Sequence, residues 1–239
     1  MNDLQLLRAY EPVVKYTEGE LFFPMAVEPY VAAASLWQLA PNKQRRELVP
    51  AGELTIERLA LQPEPPAGHT LYLRFQKEPL GALEYQRWRA RPDHPILHAA
   101  GRLTRVGIAS RVVSSLFNFS LLLRGSVPGG TAGAADIAVG KIRATDPRFV
   151  YYGRVVRTGG YVVLHYIFFF AMNDWRSSFH GINDHEADWE QCLVYLVEGP
   201  NGELQPRWVA FASHDYSGDD LRRRWDDPEL TLVDGCHPV

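Results

Sequence analysis

The chain has 239 residues, 46% hydrophobic and 22% charged, with a formal net charge of −3 and a pI near 6.2. That is enough apolar chain for the core of one large domain, and a mildly acidic balance with no Lys/Arg stripe interleaved with aromatics argues against a nucleic-acid partner. No apolar run reaches the roughly 18 residues of a spanning helix, and MNDLQLLRAYEP has no basic segment leading into an apolar one, so neither a span nor a cleaved signal is expected. The expected location is cytoplasmic or peripheral to a membrane.

In chain order, residues 1 to 30 read as extended chain, because Pro12, Pro24 and Pro29 fix φ; Val13, Val14, Leu21, Phe22 and Phe23 are candidates for core strands. YVAAASLWQLA (30–40) predicts a short helix ending before Pro41, and NKQRRE (42–47) a solvated charge run. ELTIERLAL (53–61) suits a short helix or strand, QPEPPAGH (62–69) a loop, and HTLYLRFQ (69–76) a strand of period two. The basic, aromatic segment 84–98 carries two prolines and reads as a solvated connection rather than a phosphate-binding helix. RLTRVGIASRVVSSLFNFSLLLR (102–124) has apolar residues at helical spacing, which predicts a buried helix, with a membrane-interface helix as the alternative. SVPGGTAGAAD (126–136) reads as a flexible loop; its glycines do not make a phosphate cradle.

From Phe149 onward the pattern is β. Two strands meet at Thr158-Gly159-Gly160, a hairpin signal, and the second is apolar on both faces, so it is expected to be covered on both sides. ADWEQCLVYLVEG (187–199) and RWVAFASH (207–214) are the next strands, and GDDLRRRWDDPEL (218–230) suggests a short surface helix with ion pairs. Cys192 and Cys236 form no recognisable framework and are expected as free thiols, Cys192 buried on its strand.

The chemistry concentrates in residues 161–190. Asp174, Asp184, Glu186, Asp188 and Glu190 crowd together with His180 and His185, opposed by Arg176. Acids packed so closely repel unless a cation, a proton or water relieves them. Alternation along a strand puts Asp188 and Glu190 on one face, with His185 just upstream. Antiparallel pairing would bring Asp174, at the end of the preceding strand, to the same point. Three carboxylates and an imidazole suit an oxygen-preferring divalent cation: Ca²⁺ or Mg²⁺ ahead of Mn²⁺, with Zn²⁺ the poorest fit. Asp184, Glu186, Trp189 and His214 are candidates for the surrounding layer. The H-E-x-D-W string from His185 to Trp189 is not a zinc-protease helix, since the second His is missing and the downstream residues alternate as a strand.

AYEPVVKYTEGELFFPMAV (9–27) resembles the opening of the vacuolar protein sorting-associated protein 62 family. YYGRVVRTGGYVVLHYIFFFAMNDW followed by NDHEADWEQ is similar to that family's aromatic strand and its HEGDWE signature, and WVAFASHDYSG falls at its Ser-His element. The resemblance does not reach about 85–146. More distantly, the chain is similar to the necrosis- and ethylene-inducing peptide-like proteins, secreted β-sandwich cytolysins with a GHRHDWE heptapeptide. His185, Asp188 and Glu190 match that heptapeptide's first His, its Asp and its Glu, and Asp174 matches the acid ending the aromatic strand. The resemblance implies that these four positions hold a divalent cation needed for membrane damage. Asp184 and Glu186 replace the Gly and Arg of the heptapeptide, which makes this site more acidic.

Together these readings predict an α+β, β-rich chain. It would be a single domain with a β-sandwich-type core from 1–84 and 147–239, a helical insertion at about 85–146, and truncation at the C-terminal end, where the larger family continues into another strand. The expected function is divalent-cation binding at a membrane lipid or glycolipid headgroup, without catalysis. The alternatives are a metal-dependent hydrolase with Glu186 or His214 as base, and a purely structural ion.

Overall fold

The computed structural model describes residues 2–95, 127, 129–174, 185–212 and 222–239. The chain is α+β and β-rich, with antiparallel pairing dominant in sheets of five, three and two strands. It divides into two compact units: Met1–Tyr16, Val150–Phe169 and Trp189–Val239 form the first, Thr17–Phe149 and Phe170–Asp188 the second.

The first unit is built on β4 (Tyr151–Thr158), β5 (Tyr161–Asn173), β6 (His185–Glu198), β7 (Leu204–Phe211) and β8 (Arg222–Arg224), hydrogen-bonded in that order; β5 ends and β6 begins inside the second unit. The expected hairpin is present. Gly159 and Gly160, at φ 59° and 80°, make the tight connection between β4 and β5, a backbone that residues with a Cβ adopt poorly. β5 is covered on both faces, with Val163, Leu164, His165 and Tyr166 all buried. α1 (Asp3–Ala9) packs on β4. Gly153 makes room for it, since a Cβ there would come within 2.9 Å of Leu7 Cδ1. Tyr166 Oη donates to the Leu7 carbonyl at 2.8 Å. β9 (Leu232–Val233) and β10 (His237–Pro238) pair with each other, and Val13 N–H donates to Pro238 O.

The second unit holds a sheet ordered β2 (Arg45–Val49), β1 (Ser35–Leu39), β3 (Thr70–Arg74), together with α2 (Val27–Ala33), α3 (Ile56–Ala60), α4 (Ala82–Arg89) and α5 (Gly130–Thr145). Its core includes Tyr30, Val31, Ala34, Leu36, Val49, Leu54 and Phe75. Tyr30 stacks on Phe75 at 4.6 Å, and Thr55 caps α3 by accepting from Arg58 N–H.

Several expectations are corrected. The start of the chain is not all extended: Asn2 caps α1 through a reciprocal pair with Gln5, and Pro29 sits in the first turn of α2, where its missing N–H costs nothing. Val13 and Val14 are exposed, and Leu21 and Phe22 are buried without forming a strand. The helix expected over 30–40 stops at Ala33, and Ser35–Leu39 becomes the central strand of its sheet. Two pairing partners for β1 outweigh the helix propensity of Ala and Leu. The 84–98 connection contains α4, which ends before Pro92. The expected 126–136 loop holds the start of α5, where alanines outweigh the glycine breakers. In 222–230 there is a short strand and turns instead of a helix. The 102–124 segment lies outside the described residues. The 218–221 end of the expected surface helix does too.

Candidate functional site

β6 carries the alternation expected of it. Asp188, Cys192, Val194 and Leu196 are buried, while Trp189 is 43% exposed. One residue departs from strand geometry: Ala187 has φ 61°, in the left-handed region. That conformation costs a residue with a Cβ about 1–2 kcal/mol, and it has a consequence for the site. In a regular strand, residues i and i+3 project to opposite faces. The kink at Ala187, of the kind a β-bulge makes, instead brings His185 Nε2 to 4.0 Å from Asp188 Oδ1. The same Nε2 lies 3.3 Å from Asn173 Nδ2, at the end of β5. In the tautomer protonated on Nδ1, the Asn173 amide donates to Nε2.

The second unit thus contains Asp174, His185 and Asp188. Asp188 is 7% exposed, the Oδ2 of Asp174 is buried, and the His185 side chain is 44% exposed. Glu190 falls in the first unit, half-buried on β6. Among the described residues, no three His, Cys, Asp or Glu side chains lie close enough to hold a metal together. The structure therefore shows the His185–Asp188 pair rather than the expected four-residue cluster. Asp184 and His214, like Arg176 and His180, lie outside the described residues.

Glu186 has a different position from the layer around an ion. Its two carboxylate oxygens accept the backbone N–H groups of Phe75 and Gln76, at 2.7 and 2.8 Å, just past the end of β3. Burial, and next to it the negative charge of Glu186, push the Tyr30 hydroxyl up from its ordinary range. This carboxylate satisfies two amides where β3 stops pairing, which leaves the general-base role proposed for Glu186 poorly supported. Trp189 packs against Phe169, ring centroids 4.7 Å apart.

A polar group missed in the sequence sits in the middle of the five-stranded sheet. His165 is 8% exposed; its Nδ1 accepts from Arg154 Nε at 3.1 Å and its Nε2 lies 2.6 Å from Gln191 Oε1. Since Arg154 can only donate, the ring proton is on Nε2 and Gln191 accepts it. The signal was present as a lone His in an apolar strand. Its partners on β4 and β6 were not legible without the register. Cys192 is a buried free thiol, as expected, and burial pushes its pKa up to about 12.

Compared with protein-family models, with curated proteins and with solved structures, the chain has no match.

Proposed function

We propose that the junction of β5 and β6 in the second unit binds a divalent cation, with Asp188 and His185 as ligands, and that the protein acts at a membrane or glycolipid surface without catalysis. The observation that carries this reading is the 4.0 Å gap between His185 Nε2 and Asp188 Oδ1. It is too long for a hydrogen bond, yet one cation about 2.1–2.5 Å from each atom can span it. Ala187 holds a strained backbone that brings the two together, and such strain collects at functional sites. Ca²⁺ or Mg²⁺ is favoured over Mn²⁺ and Zn²⁺, because carboxylates outnumber imidazoles in this stretch. The β-sandwich-type core belongs to the same proposal.

The surface role is supported by the exposed Trp189, next in sequence to Asp188, since an indole suits an apolar–aqueous boundary. No helix among the described residues is long and apolar enough to cross a membrane. Co-sedimentation with vesicles of anionic phospholipid or glycolipid tests the role. Binding that requires Ca²⁺ or Mg²⁺ and falls in Asp188→Asn and Trp189→Ala supports it. Binding indifferent to chelator and to Asp188→Asn contradicts it. If the metal raises the melting temperature but vesicle binding is absent, the ion is structural.

A further inference from the structure

We propose that Asn173 is a further ligand of the cation at the β5–β6 junction, binding it through the side-chain carbonyl oxygen after the amide turns over. This rests on the site proposed above and adds the donor that fixes its preference for Ca²⁺ or Mg²⁺. Asn173 is the last residue of β5 and His185 the first of β6, on neighbouring strands. Together with Asp188 they belong to the second unit.

The distances fit one coordination shell. Asn173 Nδ2 stands 3.3 Å from His185 Nε2, and the same Nε2 stands 4.0 Å from Asp188 Oδ1. Two ligands at right angles around one cation, with bonds of about 2.1–2.5 Å, lie about 3.0–3.5 Å apart. The first distance is that of two adjacent ligands. The second subtends a wider angle of the same shell, with His185 as the ligand common to both. His185 and Asp188 fill two positions of a shell that takes roughly six or more donors. Among the described residues no third His, Cys, Asp or Glu completes the group. An amide oxygen is the next donor in reach.

The turn of the amide follows from competition for one lone pair. In the tautomer protonated on Nδ1, His185 Nε2 has a single lone pair, and Asn173 Nδ2 donates to it. A cation on Nε2 takes that lone pair, and its charge repels the amide hydrogens. The amide nitrogen and oxygen are close in size and sit on opposite sides of one carbon. A half-turn about χ2 therefore puts Oδ1 where Nδ2 stood and leaves the backbone in place. The contact is solvent-exposed, so the amide turns without opening the core. The oxygen then faces the ion from the position the nitrogen held. Asparagine carbonyls are ordinary ligands of Ca²⁺, whereas Zn²⁺ prefers imidazole and thiolate. Asn173 thus adds a neutral, hard oxygen and tilts the site away from Zn²⁺.

Calorimetric titration of the metal-free chain with Ca²⁺, Mg²⁺ and Zn²⁺ tests this, with thermal unfolding to establish that each variant is folded. Asn173→Ala should weaken Ca²⁺ or Mg²⁺ binding roughly tenfold or more, with a smaller loss for Zn²⁺. Asn173→Asp keeps an oxygen at the same place and should bind at least as tightly as wild type. Asn173→His should shift the preference toward Zn²⁺. In nuclear magnetic resonance spectra of the wild type, the Asn173 side-chain amide pair should move when the ion is added. Unchanged Ca²⁺ and Mg²⁺ affinity in folded Asn173→Ala, or an equal loss in Asn173→Asp and Asn173→Ala, would overturn the proposal. If wild-type binding is then still abolished by Asp188→Asn, only the role of Asn173 fails and the site stands. A wild type that takes up none of the three ions removes both.

Discussion

The most informative single residue is Ala187. Its left-handed backbone is what allows His185 and Asp188, three residues apart on β6, to approach within 4.0 Å. Glycine enters that conformation without the Cβ penalty. Ala187→Gly is therefore expected to stabilise the protein by up to about 1 kcal/mol, a rise of roughly 2–4 °C in melting temperature for a chain of this size. A β-branched substitution, Ala187→Val, should lower it. A fall on Ala187→Gly in thermal unfolding would show that the strain is not there. Glu186 makes the second prediction at this scale. Its carboxylate serves two amides, those of Phe75 and Gln76, and leaving both without an acceptor should cost about 2–4 kcal/mol. Glu186→Ala should lower the denaturant midpoint without abolishing metal binding; a variant that keeps wild-type stability but loses the metal would return Glu186 to the site.

Among the elements, β4 to β7 were legible because their signal is local. The Gly159-Gly160 turn fixes the hairpin, and alternation from Asp188 to Leu196 matches the observed burial. What was missed depended on tertiary partners. SLWQL (35–39) follows an alanine run that favours helix, and only the flanking strands β2 and β3 make it a strand. SVPGGTAGAAD (126–136) looks like a breaker-rich loop until α4 is placed against the start of α5, when Gly133 becomes the point of close approach rather than of flexibility. The site was half legible for the same reason. Strand period put Asp188 on the buried face, but no periodicity foretells that a kink at Ala187 turns His185 toward it, or that Glu186 reaches amides more than a hundred residues away. The packing of α1 on β4 carries its own prediction. Gly153→Val would drive side-chain atoms into Leu7, so it should destabilise by about 1–3 kcal/mol, and a Leu7→Ala change made with it should recover part of that loss in denaturant unfolding.

For the whole molecule, the buried acids that keep their protons set an alkaline limit. Cys192 ionises near 9.0 when exposed, and burial raises it to about 12 in the fold. The folded chain holds that proton across the window in which the unfolded chain has lost it. Stability is therefore full below pH 9 and falls as pH rises toward 12. Burial shifts the hydroxyls of Tyr30 and Tyr166 in the same direction. The denaturant midpoint should fall above pH 9, with a shallower slope in Cys192→Ala; a flat profile from pH 8 to 11 would contradict this. The central claim concerns the ion, and it is tested most directly by thermal unfolding of the metal-free protein in EDTA against added Ca²⁺, Mg²⁺, Mn²⁺ and Zn²⁺, for wild type and Asp188→Asn. A ligand that binds only the folded state must raise its midpoint. The account predicts a rise with Ca²⁺ or Mg²⁺ that disappears in Asp188→Asn, while no rise with any of the four, or one that survives the substitution, would contradict it.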